Sequence, residues 1–217
     1  MQILKLTDWA NPADEIINRA AEVLKSSGIM VYPADTAGYS LGANALDEEA
    51  VRKVFEIKNR SFDLPMNIVV SDGQMAARFC YWTDQAQKLA DRFLPGALTL
   101  VLKKKSDIPD LLTAGLDSVG IRIPDSPVAL EVSRRSQLPF TITTANISGQ
   151  AVSAFTLEEI QAMFQGQMIE PNIIIDAGKL PNIPPSTVLD LSISPPKILR
   201  QGPILAEDLQ YIENGSK

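Results

Sequence analysis

Short apolar runs, each closed by proline, glycine or a polar cap, alternate along the whole chain with segments of helical period. The apolar runs fall at residues 29–32 (halted by Pro33), 67–70, 98–102, 119–123, 140–143, 173–175, 187–191 and 198–199. They are too short for buried helices and read as strands. Between them lie amphipathic stretches. Asn11-Pro12 reads as an N-cap and first helical position, followed by one apolar face of Ile16, Ile17, Ala20, Ala21 and Leu24 and a stop at Gly28. Asp47 opens a second helix carrying Val51, Val54, Phe55 and Ile57, and Thr83 a third that runs to Phe93. Further helices are expected near residues 128–135, from Thr156 through Met163, and from about Leu205. Many short strands interleaved with helices give an α/β sheet domain. No internal repeat or low-complexity linker divides the 217 residues, so residues 1–217 read as one domain.

Composition then removes whole classes of chemistry. The chain has no histidine, which excludes a Ser-His-Asp triad, a histidine-liganded metal and imidazole acid–base catalysis. Its one cysteine, Cys80, can form neither an internal disulfide nor a zinc site alone. A formal charge of −6 gives no global basic surface for nucleic acid, although a local basic groove is compatible with it. No apolar run approaches a membrane span, and the N-terminus lacks the pattern of an export signal, so a cytoplasmic location is expected. The run Lys103-Lys104-Lys105 reads as a solvated strand end.

Polar clusters gather where strands end, the edge at which open α/β sheets hold ligands. Asp35-Thr36 follows the strand ending at Pro33 and leads into Gly38-Tyr39-Ser40-Leu41-Gly42, which suits either a plain turn or a close backbone approach to a ligand. Lys58-Asn59-Arg60 ends an amphipathic helix, where cations serve equally as caps or as polyanion ligands. Arg122 sits in the apolar strand Val119-Gly120-Ile121-Arg122-Ile123 and needs either an internal carboxylate or a ligand. Thr143-Thr144-Ala145-Asn146-Ile147-Ser148-Gly149 crowds hydrogen-bonding groups at one strand end. Ser186-Thr187 opens a late strand and Arg200 closes the next. Several cations and hydroxyls at the edges of one sheet suit a nucleotide triphosphate. Neither a P-loop nor a dinucleotide fingerprint is present.

In chain order, V-Y-P-A-D-T (31–36), K-N-R-S-F-D-L-P (58–65), L-P-G-A-L-T-L-V-L (94–102), V-G-I-R-I-P-D (119–125), T-T-A-N-I-S-G (143–149), S-T-V-L-D (186–190) and L-R-Q-G (199–202) resemble the YrdC-like threonylcarbamoyl-AMP synthases. The resemblance covers nearly the whole chain, in its single-domain form. It implies a twisted mixed sheet flanked by helices with a concave basic cavity. It implies an enzyme that joins L-threonine, bicarbonate (or CO2) and ATP, the latter bringing Mg²⁺, into threonylcarbamoyl-AMP and pyrophosphate. Transferase machinery then carries the group to tRNA. By the same resemblance Lys58 and Arg60 hold the triphosphate as catalytic residues, and Ser118, Asn146 and Arg200 help hold the nucleotide. Thr36, Arg122, Thr144 and Ser186 bind threonine, with Arg122 on its carboxylate.

The chain departs from the family pattern at several positions. Ala34 replaces a threonine, the segment from Thr36 to Gly42 is one residue longer, and Leu64 stands where relatives often have Asn or Lys. Val69 stands where many carry His, Leu94 and Ala97 replace a common Trp and Pro, and Thr144 replaces a serine. Two alternatives accompany the main expectation. One is a tRNA- or duplex-RNA-binding module using Lys103 to Lys105, Arg134 and Arg135. The other is a related adenylating enzyme with a different amine, suggested by the lengthened loop.

Overall fold

The computed structural model describes residues 1–149 and 154–210. Ten strands form one mixed sheet: β1 (Gln2–Lys5), β2 (Met30–Pro33), β3 (Tyr39–Gly42), β4 (Asn67–Val69), β5 (Leu98–Lys103), β6 (Ser118–Arg122), β7 (Phe140–Thr144), β8 (Ile173–Asp176), β9 (Thr187–Asp190) and β10 (Lys197–Arg200). Their order across the sheet is β1-β8-β2-β3-β7-β4-β6-β5-β9-β10. The pairs β1–β8, β2–β8, β4–β6 and β5–β9 are parallel, and the others are antiparallel.

Helices α1 (Asp14–Lys25), α2 (Glu48–Ile57), α3 (Gly73–Phe79), α4 (Asp84–Phe93), α5 (Asp110–Thr113), α6 (Pro127–Ser136), α7 (Leu157–Phe164) and α8 (Ala206–Gln210) complete the described chain. The expected caps hold for three of them. Asp47 accepts from the Glu49 and Ala50 amides, Thr83 accepts from Ala86, and Thr156 forms a capping box with Glu159. The start of α1 differs from expectation. Its N-cap is Ala13, without a side-chain bond, and Asn11 instead belongs to a turn closed by the Asp8 carboxylate. Its end differs too. Ser27 takes the left-handed conformation (φ 56°) and Gly28 N–H donates back to Val23 O, so Ser27 does the work expected of the glycine.

Four elements lie outside the expected set: β1, β3, α3 and α5. β3 matters most. Its hydroxyls and glycine resemble a ligand loop, yet it is fully buried between β2 and β7.

The sheet buries two cores, one on each face. Along β2, Val31 packs into the first, with α2, α3, α4 and α7; Met30 and Tyr32 pack into the second, under α1 and α6. The second layer is incomplete. Phe140 of β7 and Val69 of β4 lie beneath α1 and α6, whereas Thr144 and Asn67, further along the same face of the same two strands, line a cavity. The cavity is thus the part of one sheet face that the helical layer leaves uncovered.

Candidate active site

The cavity measures about 370 Å³. Register places its floor residues on one face. Ser40 pairs Thr144, Asn67 pairs Ile142, and Arg122 pairs both Val69 and Thr99. Residues two apart on a strand share a face, so Ser40, Thr144, Asn67, Arg122, Ser186 and Arg200 form a polar band across seven strands. Thr36, Ala37, Arg60, Pro65 and Pro185 supply the walls.

Lys58-Asn59-Arg60 is the C-terminal cap of α2. Asn59 adopts φ 48° and Arg60 N–H donates to Phe55 O at 2.9 Å, closing a left-handed cap. This turn sends the two cations apart. Lys58 is only 1% exposed and does not line the cavity. Its ammonium donates to Thr144 O (2.5 Å), Asn146 O (2.8 Å) and Asn146 Oδ1 (2.8 Å), which uses all three of its protons. Burial, and then the Arg60 charge, pull its pKa down to about 7. Arg60 lines the cavity. Its guanidinium donates to Leu64 O and Pro65 O, curling the 60–65 segment into a wall.

Arg122 is 3% exposed. Its Nη2 donates to both oxygens of Asp35 (2.6 and 2.8 Å) and its Nη1 to Thr36 Oγ1 (3.2 Å). The internal carboxylate, one of the two partners left open by the sequence, is therefore present in Asp35. The same carboxylate accepts from Asp125 N–H, so it is fixed from both sides. Arg122 Nε and the Tyr32 hydroxyl are buried without a hydrogen-bond partner among the described residues. With Nη2 committed to Asp35, the donors Arg122 has left are Nη1, shared with Thr36 Oγ1, and the unpartnered Nε.

On the opposite wall Arg200 Nε donates to Ser186 O and its Nη2 to Ser186 Oγ, which also bonds Thr99 Oγ1 at 2.8 Å. Burial, and then the Arg122 charge, hold the Arg200 guanidinium below its usual pKa. Gly202 seats this corner. A Cβ there would meet Pro185 O at 2.3 Å and Thr187 N at 2.4 Å.

Of the nine residues expected at the site, Thr36, Arg60, Arg122, Thr144, Ser186 and Arg200 line one cavity. Lys58 and Asn146 lie behind its wall, joined to each other. Ser118 is elsewhere. It pairs Lys103 at the start of β6, four residues from Arg122 and so about 13 Å along the strand. The sequence assigned no individual role to Asp35 (the partner of Arg122), Thr99, Ser40 or Asn67, although Asp35 and Ser40 stood in the candidate cluster that follows Pro33. The signal for the last three was polarity at positions that alternate with core residues.

The cations invoked for RNA are largely engaged. Lys104 pairs with Asp110, Arg134 with Glu131 and Arg135 with Asp14, while Lys105 donates to Ala77 O. The lysine run is therefore only partly a solvated strand end. Among the described residues no helix is long and apolar enough to cross a membrane.

Comparison with known proteins places the fold. The Sua5/YciO/YrdC family model, described as "Telomere recombination", matches residues 22–202. A Methanocaldococcus jannaschii relative is 40% identical over 181 residues, 83% of either chain. A Pyrococcus abyssi protein named threonylcarbamoyl-AMP synthase is 37% identical over 197 residues, 90% of this chain and 56% of its own, so the present chain spans little more than half of that relative. The crystal structure of P. abyssi Sua5 complexed with L-threonine superposes with a TM-score of 0.90 at 34% identity, over 99% of this chain and 61% of that one. The Escherichia coli YciO structure gives 0.85 at 25% identity, over 96% and 98%. The chain belongs to the Sua5/YciO/YrdC family.

Proposed function

We propose that the cavity binds Mg²⁺-ATP beside L-threonine and forms threonylcarbamoyl-AMP and pyrophosphate. The observation that carries this is charge. Three guanidinium groups, Arg60, Arg122 and Arg200, converge on one cleft, and only Asp35 answers them with an ion pair among the described residues. A surplus of fixed, partly desolvated cations suits a polyphosphate. The names of the relatives and the threonine bound to P. abyssi Sua5 support the amino-acid half.

In the proposed reaction the threonine amine adds to CO2 through a new N–C bond and gives up one proton to solvent, leaving a carbamate. A carbamate oxygen attacks the α-phosphorus, the bond from that phosphorus to the bridging oxygen breaks, and pyrophosphate leaves with the electron pair. The chain's contribution is positioning and electrostatic stabilisation. Arg60 and Arg200 face the phosphates, Arg122 and Thr36 hold the amino-acid end, and Mg²⁺ travels with the triphosphate. Lys58 acts through the segment it ties down, fixing Thr144 in the cavity lining through its bonds to Thr144 O and to Asn146 behind the wall. The adenylate then passes to transferase machinery acting on tRNA.

A second reading, a different amine substrate, rests on the lengthened hairpin. Ala37 (φ 59°) and Gly38 (φ 76°) are consecutive left-handed residues, with Ala37 N–H held by Ile183 O and Tyr39 N–H by Ala154 O. This turn forms the wall beside Thr36. One assay separates the two readings. The protein is supplied with ATP, Mg²⁺ and bicarbonate, the amine is varied, and pyrophosphate and the adenylate mass are measured. Threonine-dependent adenylate supports the first reading. Product only with another amine selects the second, and no product with any amine refutes both.

A further inference from the structure

We propose that Asn67 is a specificity-determining contact to the side chain of the amino-acid substrate, and that residue 120 is glycine to make room for it. This deepens the function proposed above and rests on it. In the sheet β4 lies between β7 and β6. Asn67 pairs Ile142 on β7, two residues before Thr144, and lies level with Gly120 on β6, two residues before Arg122. Its lateral neighbours are therefore Ile142 and Gly120, and the residues expected to hold the amino acid, Thr144 and Arg122, lie on opposite diagonals from it.

Its carboxamide lies across Gly120. A Cβ there would meet Asn67 Oδ1 at 2.0 Å and Cγ at 2.8 Å. Gly120 is in regular strand without a positive φ, so its lack of a side chain serves space and not backbone conformation. The carboxamide faces the cavity and makes no hydrogen bond among the described residues, leaving both donor and acceptor available. Val69, the next residue of β4 on this face, is fully buried under α1 and α6 and cannot substitute for it.

Asn67 stands beside the apolar Ile142, which also lines the cavity. A hydrogen-bonding group next to a hydrocarbon group matches a side chain that carries a hydroxyl and a methyl on one carbon. Valine would leave the carboxamide unpaired, and serine would leave the Ile142 side unfilled. A buried polar group left unpaired discriminates more strongly than a missing methyl.

The test measures pyrophosphate release with L-threonine, L-valine and L-serine for wild type, Asn67→Leu, Asn67→Ala, Gly120→Ala and the Asn67→Ala/Gly120→Ala pair. Asn67→Leu, similar in volume but unable to hydrogen bond, is expected to raise the threonine KM about tenfold or more and to collapse the threonine-over-valine preference. The ATP KM should stay within about twofold. Gly120→Ala should impair threonine use in the wild-type background and add little in Asn67→Ala, since the atom it displaces is gone. Should Gly120→Ala fail to fold, the two Asn67 variants decide alone. An unchanged threonine-over-valine ratio in Asn67→Leu, or an equal Gly120→Ala loss in both backgrounds, overturns the assignment while leaving the threonine function standing. A wild-type protein without threonine-dependent turnover overturns both.

Discussion

Asp35→Asn isolates the electrostatic partner of Arg122. The substitution keeps the shape and one carbonyl oxygen, and removes the charge that both Asp35 oxygens present to Arg122 Nη2. The side chains are 3% and 7% exposed, so solvent does little to screen the loss. Leaving a buried charge unpaired costs about 3–5 kcal/mol. At about 2–4 °C per kcal/mol for a domain of this size, the melting temperature should fall by roughly 6–20 °C. Replacing both partners by apolar residues of similar volume, Asp35→Leu with Arg122→Met, removes the orphaned charge, and such exchanges are often neutral for stability. The double variant should thus melt closer to wild type than Asp35→Asn does, although its amino-acid binding should be lost. Thermal and urea unfolding, compared across wild type, Asp35→Asn, Asp35→Leu, Arg122→Met and the double variant, supply the measurement. If Asp35→Asn costs less than about 1 kcal/mol, or the double variant is as unstable as the sum of its single changes, the ion pair is not a buried and mutually dependent unit.

Two further outcomes follow from other corners of the site. Gly202→Ala drives a Cβ into the Pro185, Ser186 and Thr187 backbone, so it should cost about 1–3 kcal/mol in unfolding free energy, and by shifting Arg200 it should raise the ATP KM more than the threonine KM. Lys58, with its pKa lowered to about 7, binds fewer protons folded than unfolded between about pH 7 and its usual value of 10.5; stability should rise with pH across that window, and Lys58→Met should flatten the rise in a melting series.

Much of the fold was legible because local signals were strong. Asp47, Thr83 and Thr156 cap helices as their spacing implies, and the apolar runs became strands with ends moved by a residue or so. β3 was missed because Tyr39-Ser40-Leu41-Gly42 has no uniform apolar run. Its Ser40 is polar on a face that turns out to line a cavity, and Gly42 is packed under Met30 and Tyr32. The site was legible as a set of residues and not as an arrangement. Of the residues the motifs grouped, Thr36, Arg60, Arg122, Thr144, Ser186 and Arg200 line one cavity. The motifs did not show that Ser118 lies at the far end of its strand, since distance along β6 depends on a register no motif encodes. Nor did they separate Lys58 from Arg60, because that depends on a single left-handed residue, Asn59.

Net charge and local charge also part company in this chain. The net charge is −6, and the positive charges at Lys104, Arg134 and Arg135 are cancelled locally by their own carboxylates. Inside the cavity the balance is reversed. Arg60, Arg122 and Arg200 meet one ion-paired carboxylate, and the Lys58 ammonium stands just behind the wall. Low-dielectric walls concentrate the resulting field in a volume of about 370 Å³. An extended RNA backbone needs positive charge spread along a surface, and three of the cations such a surface would use, Lys104, Arg134 and Arg135, are ion-paired. A compact polyphosphate needs it at one point. The placement of charge inside the cavity therefore suits a compact polyphosphate better than an extended backbone, and it does so through residues whose total the composition alone would have hidden.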